Sequence, residues 1–345
     1  MIPIQNIYYM LSYAFQVLNE QGYKNIATEQ FNNTGELMAA ILEKGIAIQI
    51  KRGLGKEYIP QTEALSSLRG KIDIAESIKT QSMLRKQLIC TYDEFSVNSI
   101  MNRIIKSTVE LLLRSNISKQ RKKNLRKLMV YFSEVDFIDL YTVNWNVQYN
   151  RNNQTYRMLI SICYLVVKGL LQTQSNGHTK LMDFLDEQRM CRLYEKFILE
   201  YYRREFKNQI TANASQIPWQ LDNEENSLLP VMQSDIMLQS GEKVLIIDAK
   251  YYEHSTQVQF DKHTLHSGNL YQIFTYVKNK EYELREKDHT VSGMLLYAKT
   301  DEEIYPNNVY QMSGNQITVR TLDLNLSFDE IAGQLNTIAK THFDL

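Results

Sequence analysis

The stretch Ser234–Tyr252, SDIMLQSGEKVLIIDAKYY, decides how this chain is read. Two apolar runs flank Ser240–Lys243, which contains Gly241, the pattern of two strands joined by a tight turn. The second run, Val244–Ile247, ends in Asp248 and Lys250, with Asp235 on the first strand. Side chains alternate along a strand, so Asp248 and Lys250 share a face. A turn of about two to four residues sets Asp235 opposite a residue between 246 and 248, at roughly 5 Å for cross-strand neighbours.

If the register brings both acids to one face, two carboxylates share one spot, and each raises the pKa of the other unless a cation separates them. A hard divalent ion resolves the conflict. Mg²⁺ favours carboxylate oxygens, retains waters and takes further oxygens from a phosphate. Asp235 and Asp248 are the candidate metal ligands, with the backbone carbonyl of Ala249 between the two key side chains as a third. Lys250 would stand beside metal-bound water and a scissile phosphate, stabilising charge or helping to deprotonate the water. Metal, water and lysine are the parts that phosphodiester hydrolysis needs. The bland alternative is a salt-bridged pair at an exposed strand end.

Two further elements bear on this site. Gln272 and Tyr276 lie one helical turn apart in NLYQIFTY (269–276), placed to hold a DNA backbone or to orient the lysine. Upstream, Glu195 in the 187–207 segment is a candidate fourth ligand, flanked by Tyr194 and Phe197 on the apolar side. Glu200 competes with it.

A length of 345 residues suits two domains, and 43% hydrophobic with 23% charged residues is an ordinary folded composition. The formal net charge is zero, so any nucleic-acid surface must be local. Local bias is present: between Asn102 and Lys127 stand Arg103, Lys106, Arg114, Lys119, Arg121, Lys122, Lys123, Arg126 and Lys127, against Glu110 alone. Arg121, Lys122, Lys123, Arg126 and Lys127 are its densest part, facing DNA, a protein partner or solvent.

Cys90, Cys163 and Cys191 form no CxxC pair, which argues against a disulfide framework or zinc ribbon and suits a reducing cytoplasm. His263 and His266 lack cysteine partners, so a zinc site is not expected. The opening MIPIQNIYYMLSYAF has no basic leader and reads as a buried amphipathic segment. No apolar run reaches membrane-spanning length. RGLGKE (52–57) lacks P-loop spacing, so no nucleotide site is expected.

Periodicity predicts helices over 4–19, 35–48, 102–131 (broken near 116–118, with Ser118 as N-cap), 158–171, 187–207, 269–280 and onward from Ser327, where Ser327 and Glu330 form a capping box. Strands are expected over 230–239, 243–251, 291–299, 308–312 and 316–322. A further one is expected from Tyr141, and a loop of about fifteen residues after Tyr252. QTQSNGHTK (172–180) reads as a linker, dividing a mostly helical domain, 1–178, from a mixed-sheet α+β domain, 179–345.

With those residues in hand, the hairpin resembles the PD-(D/E)xK nuclease superfamily, and Gln272 with Tyr276 resembles the Gln-x-x-x-Tyr element of one branch. Ser234 stands where the superfamily often has proline. IPIQNIYYMLSYAF, YDEFSVNSIMNRIIKSTVELLL (92–113) and LIIDAKYY (245–252) together resemble McrC-type subunits of modification-dependent McrBC restriction systems. That resemblance implies a restriction-endonuclease-like fold and a Mg²⁺-dependent DNA endonuclease acting on duplexes that carry modified cytosine. It also implies a hexameric AAA+ ring that hydrolyses GTP, contacted mainly through the N-terminal half and stimulated by this chain. The alternatives are a non-catalytic activator of such a ring and a free-standing repair nuclease.

Overall fold

The computed structural model describes residues 2–19, 23, 26, 29–150, 153–175, 187–222, 228–252, 256–259, 262–299 and 305–345. Two compact units divide the chain: Thr28–Met182, and Met1–Ala27 together with Asp183–Leu345. The expected division at 178/179 is therefore corrected at its N-terminal side. Helix α1 (Ile4–Ala14) packs in the C-terminal unit because its polar and aromatic groups find partners there. Asn6, buried, donates to the carbonyls of Leu324 and Leu326 at 2.8 Å each. Tyr13 donates to Glu205 at 2.8 Å, and Tyr9 stacks on Phe328. The polar half of the predicted linker, residues 176–180, lies outside the described residues.

The middle unit contains α2 (Thr34–Arg52), β1 (Glu57–Leu65), β2 (Lys71–Asp73), α3 (Ile74–Lys79), β3 (Leu88–Ser96), α4 (Ile100–Arg114), α5 (Lys119–Met129) and α6 (Tyr156–Ser175). In α4, Met101, Ile104, Ile105, Thr108, Val109 and Leu112 recur at helical spacing and are all buried. Ser118 caps α5 by accepting from the Arg121 amide, as its position predicts. Asn102, fully buried, donates to the carbonyls of Gly55 (2.9 Å) and Val97 (2.8 Å) and accepts from the Tyr156 hydroxyl (2.7 Å). The three strands form an antiparallel sheet in the order β1-β3-β2. The strand expected from Tyr141 does not form. That segment finds no sheet edge, and an unpaired strand leaves its backbone groups without a ladder.

The other unit continues with α7 (Glu187–Glu205), β4 (Thr211–Asn213), β5 (Gln216–Ile217), β6 (Met232–Gln233), β7 (Ile236–Ser240) and β8 (Lys243–Lys250). It closes with β9 (Thr256–Gln259), β10 (Lys262–Leu265), α8 (Ser267–Leu284), β11 (Thr290–Ala298), β12 (Asn308–Met312), β13 (Asn315–Leu322) and α9 (Phe328–Phe343). The expected long loop after Tyr252 thus contains a short antiparallel hairpin, β9–β10, which satisfies backbone groups that a loop would leave to water. The main sheet is mixed, ordered β12-β13-β11-β8-β7-β4, with β11 parallel to both β8 and β13. β8 is buried along both faces, so its near-continuous apolar run is what a central strand requires. One sheet face, through Val244, Ile246, Leu295 and Tyr297, packs on Ile273, Tyr276 and Val277 of α8. Behind the sheet, α7 joins α9 through Tyr201 and Tyr202, whose hydroxyls donate to the Ala332 and Leu335 carbonyls. The capping box of Ser327 and Glu330 forms as read. Among the described residues, no helix is long and apolar enough to cross a membrane.

Candidate active site

The hairpin turn is the two residues Gly241 and Glu242, with Gly241 at φ 55°, a sign that glycine adopts freely. This short turn fixes the register: Ser240 pairs with Lys243, and the ladder ends at Ile236 with Ile247. One step further, Asp235 stands opposite Asp248, and both side chains emerge on the α8 face. Beyond that point β8 runs on without β7, still paired with β11 as far as Lys250. The site therefore sits outside the carboxyl ends of β8 and β11, where open α/β sheets commonly place ligands.

Asp235 accepts a hydrogen bond from the Ala249 amide at 3.0 Å. The N–H and C=O of one strand residue point to the same side, so the Ala249 carbonyl opens toward Asp235 as well. Ser234 immediately precedes the acid. It is buried, its amide donating to the Ser215 carbonyl at 3.0 Å and its hydroxyl to the same oxygen at 3.2 Å, which anchors the strand just before the acid.

Asp248 is 1% exposed, and its close neighbours are the Lys250 ammonium and the Asp235 carboxyl rather than backbone amides. Lys250 Nζ lies 2.8 Å from Asp248 Oδ2 as an ion pair. Burial pushes the Asp248 carboxyl up to about 7, with the Lys250 ammonium opposing and Asp235 adding to the rise. Burial alone would lower Lys250, but Asp248 and then Asp235 outweigh it and hold the ammonium above its ordinary range.

The structure separates the two glutamates that the sequence leaves competing. Glu195 faces the acids, its carboxyl raised by burial and by Asp235, whereas Glu200 pairs with Arg203 at 2.8 Å. Gln272 and Tyr276 act in series. Tyr276 is buried and accepts from Gln272 Nε2 at 2.9 Å, and Gln272 Oε1 lies 3.5 Å from Lys250 Nζ. This geometry suits the second of the two roles expected for them, orienting the lysine.

Two neighbours were not read from the sequence. Cys191, one turn before Glu195, donates its thiol to Glu195 Oε1 at 3.1 Å and lies 3.9 Å from the Ala249 carbonyl; burial pushes the thiol up to about 12. Its i, i+4 spacing from Glu195 was the available signal. Gly293 on β11 sits under α8: a Cβ there would stand 2.8–2.9 Å from Ile273, Ile317 and Val277. No sequence signal marked it, since its role is the close approach of a helix remote in the chain.

The basic segment divides. Arg121 is not a ligand-facing residue as expected. Its guanidinium pairs with Glu43 at 2.9 Å, with Glu36 at 3.6 Å and with Glu29, and its side chain is only 13% exposed. The expectation fails because α2 brings two of these acids against α5. Lys123, Arg126 and Lys127 are exposed, and Lys122 is half-buried.

The donor set fits a hard, water-carrying cation. Asp248 supplies a buried carboxylate, with the Asp235 carboxylate and the Ala249 carbonyl, met only by the weak Cys191 thiol donor, beside it. Among the described residues, no three acidic, histidine or cysteine side chains close into a cage. Mg²⁺ is commonly held by one or two carboxylates and otherwise by water and substrate oxygens.

Over residues 5–298 the sequence matches the family model described as McrBC 5-methylcytosine restriction system component. The chain belongs to that family. Among family relatives, it is 30% identical over 329 residues to the type IV methyl-directed restriction enzyme EcoKMcrBC of Escherichia coli (strain K12), covering 94% of this chain and 93% of that one. Solved McrBC assemblies are looser likenesses. A refined half-complex from a tetradecameric assembly of Thermococcus gammatolerans McrB AAA+ hexamers with bound McrC covers 97% of this chain and 76% of its counterpart, at 19% identity and TM-score 0.47. The cryo-EM structure of the Thermococcus gammatolerans McrBC complex covers 59% of each chain, at 21% identity and TM-score 0.42.

Proposed function

We propose that this chain is the DNA-cutting, McrC-type subunit of a modification-dependent restriction complex, a PD-(D/E)xK endonuclease that uses Mg²⁺ and stimulates a partner's GTPase. One observation carries the reading: Asp248, buried, opposite Asp235 and beside Lys250 at the end of a central strand. Asp235, Asp248 and the Ala249 carbonyl would hold the ion, with Glu195 as a further carboxylate. When bound, the ion supplies Lewis-acid stabilisation of the phosphate and a more acidic water.

The chain's own residues do the rest. Asp248 and Asp235 hold the Lys250 ammonium above its ordinary range, which favours a role by charge, donating hydrogen bonds to oxygens of the scissile phosphate where negative charge builds. Gln272, held by Tyr276, limits where that ammonium can point. Cys191 restrains Glu195 toward the acids.

Family membership supports the rest of the proposal: a hexameric McrB-like AAA+ GTPase as partner and double-stranded DNA with modified cytosine as substrate. The test is cleavage of methylated and unmethylated plasmid with Mg²⁺ and GTP, with and without the purified ring. Asp248→Ala is expected to abolish cutting while ring binding and GTPase stimulation survive. Undiminished cutting by that variant would overturn the site.

A further inference from the structure

The nine cations between Asn102 and Lys127 fall into two sets. Arg103 donates to the Phe137 carbonyl at 3.2 Å, and Lys106 to those of Phe132 and Val135 at 2.9 and 2.5 Å. Arg114 pairs with Glu110 at 3.0 Å, and Arg121 with its three glutamates. These four are spent within the fold. Lys119, Lys122, Lys123, Arg126 and Lys127 have no acidic partner among the described residues.

The second set lies at i, i+3, i+4, i+7 and i+8 on α5, one continuous stripe opposite the buried Leu125. Such a stripe works against its own helix. Lys119 and Lys123, Lys122 and Arg126, and Lys123 and Lys127 are like-charge pairs at i, i+4, each destabilising. No acid occupies the first turn, and cations there oppose the helix dipole. An ordinary solvated face would interleave acids, so self-repulsion left standing points to function. Lysine is depleted in the cores of protein interfaces, whereas Lys and Arg are the usual partners of phosphate oxygens.

We infer that the stripe Lys119–Lys122–Lys123–Arg126–Lys127 on α5, exposed but for the half-buried Lys122, is a sequence-independent binding surface for the phosphodiester backbone of duplex DNA. The choice of DNA among polyanions rests on the function proposed above; the surface itself does not involve the acidic site. Contacts from such cations to phosphate oxygens position a duplex and carry no sequence information.

The test is equilibrium binding of the full chain to a random-sequence fluorescent duplex in EDTA, followed by anisotropy across a NaCl series. A variant carrying Lys122→Gln, Lys123→Gln, Arg126→Gln and Lys127→Gln is expected to flatten the slope of log K against log[salt] by about 3 to 4, near 0.9 for each phosphate no longer neutralised. A charge-keeping variant (Lys122→Arg, Lys123→Arg, Arg126→Lys, Lys127→Arg) keeps the slope. The neutralised chain melts at the same temperature as the parent or higher, because repulsion is relieved. An unchanged slope overturns the inference, as does a lowered melting point. So does loss of ring binding with DNA affinity intact, which would reassign the stripe to an acidic protein partner. Cutting by Asp248→Ala is scored separately: an unchanged slope with Asp248-dependent cutting sinks only the stripe, and the converse sinks only the nuclease site.

Discussion

Asp248→Asn offers a prediction with a sign opposite to the usual effect of altering an aspartate. Most native carboxylates are held below their ordinary pKa and stabilise the fold at neutral pH. Asp248 is raised instead, from 3.8 to about 7, chiefly by burial. Between those values the folded chain binds a proton that the unfolded chain has lost, so stability falls as pH climbs through the window. At 1.36 kcal/mol per pH unit, the ionised carboxylate costs the fold about 4 kcal/mol above pH 7, as an order of magnitude. That figure is net of the Lys250 ammonium, 2.8 Å away. Asparagine keeps the shape and does not titrate. In divalent-free buffer the variant should therefore be more stable than the parent at pH 8, with about 2–3 kcal/mol of the difference gone by pH 5. Trp145 lies in the middle unit and Trp219 in the other, so urea unfolding followed by fluorescence in a Trp145→Phe background reports the unit that holds Asp248. Adding Mg²⁺ should stabilise the parent, by about 1.4 kcal/mol when the free ion is near tenfold its Kd, and leave the variant unmoved. An asparagine variant no more stable at pH 8, or a difference equal at both pH values, would refute the picture of a carboxylate confined for a ligand.

Three further outcomes follow from the geometry. Gly293→Ala places a Cβ within 3 Å of three side chains and should lift α8, costing about 1–3 kcal/mol in urea unfolding together with a fall in cleavage; a wild-type unfolding curve would count against the close-approach role. Tyr276→Phe removes the hydroxyl that accepts from Gln272, and should slow cutting about tenfold by loosening the lysine while costing only about 1 kcal/mol of stability; an unchanged single-turnover rate would show that the relay is idle. Arg121→Met strands three glutamates, and loss of one partner from a largely buried ion-pair network costs about 3–5 kcal/mol, read as a lowered unfolding midpoint of the middle unit; a stability change below about 1 kcal/mol would mean the network is solvent-screened.

Much of the site could be read along the chain because its geometry is local. Two apolar runs and a Gly241 turn dictate a hairpin; a hairpin with a two-residue turn dictates register; and register places Asp235 against Asp248. Gln272 and Tyr276 meet because helical spacing alone stacks them. The N-cap of Ser118 and the capping box of Ser327 are likewise decided within four residues.

What sequence could not settle were partnerships between remote elements. Glu195 and Glu200 look alike until α7 is laid on the sheet, which turns one toward Asp235 and leaves the other beside Arg203. Nine cations looked like one basic segment until the fold gave three of them, Arg103, Lys106 and Arg121, partners on other elements and left Arg114 paired along its own helix. Tyr141 began a pattern that reads as strand, but strands are completed by neighbouring strands, and no sheet among the described residues includes this segment. The opening helix was assigned to the half it begins, because adjacency in sequence was the only distance available. Its buried Asn6 needed carbonyls from Leu324 and Leu326, more than three hundred residues away. Local spacing thus determined which groups could meet within an element, and only the folded core, by burying some polar groups against distant neighbours and leaving others outside, decided which of them did.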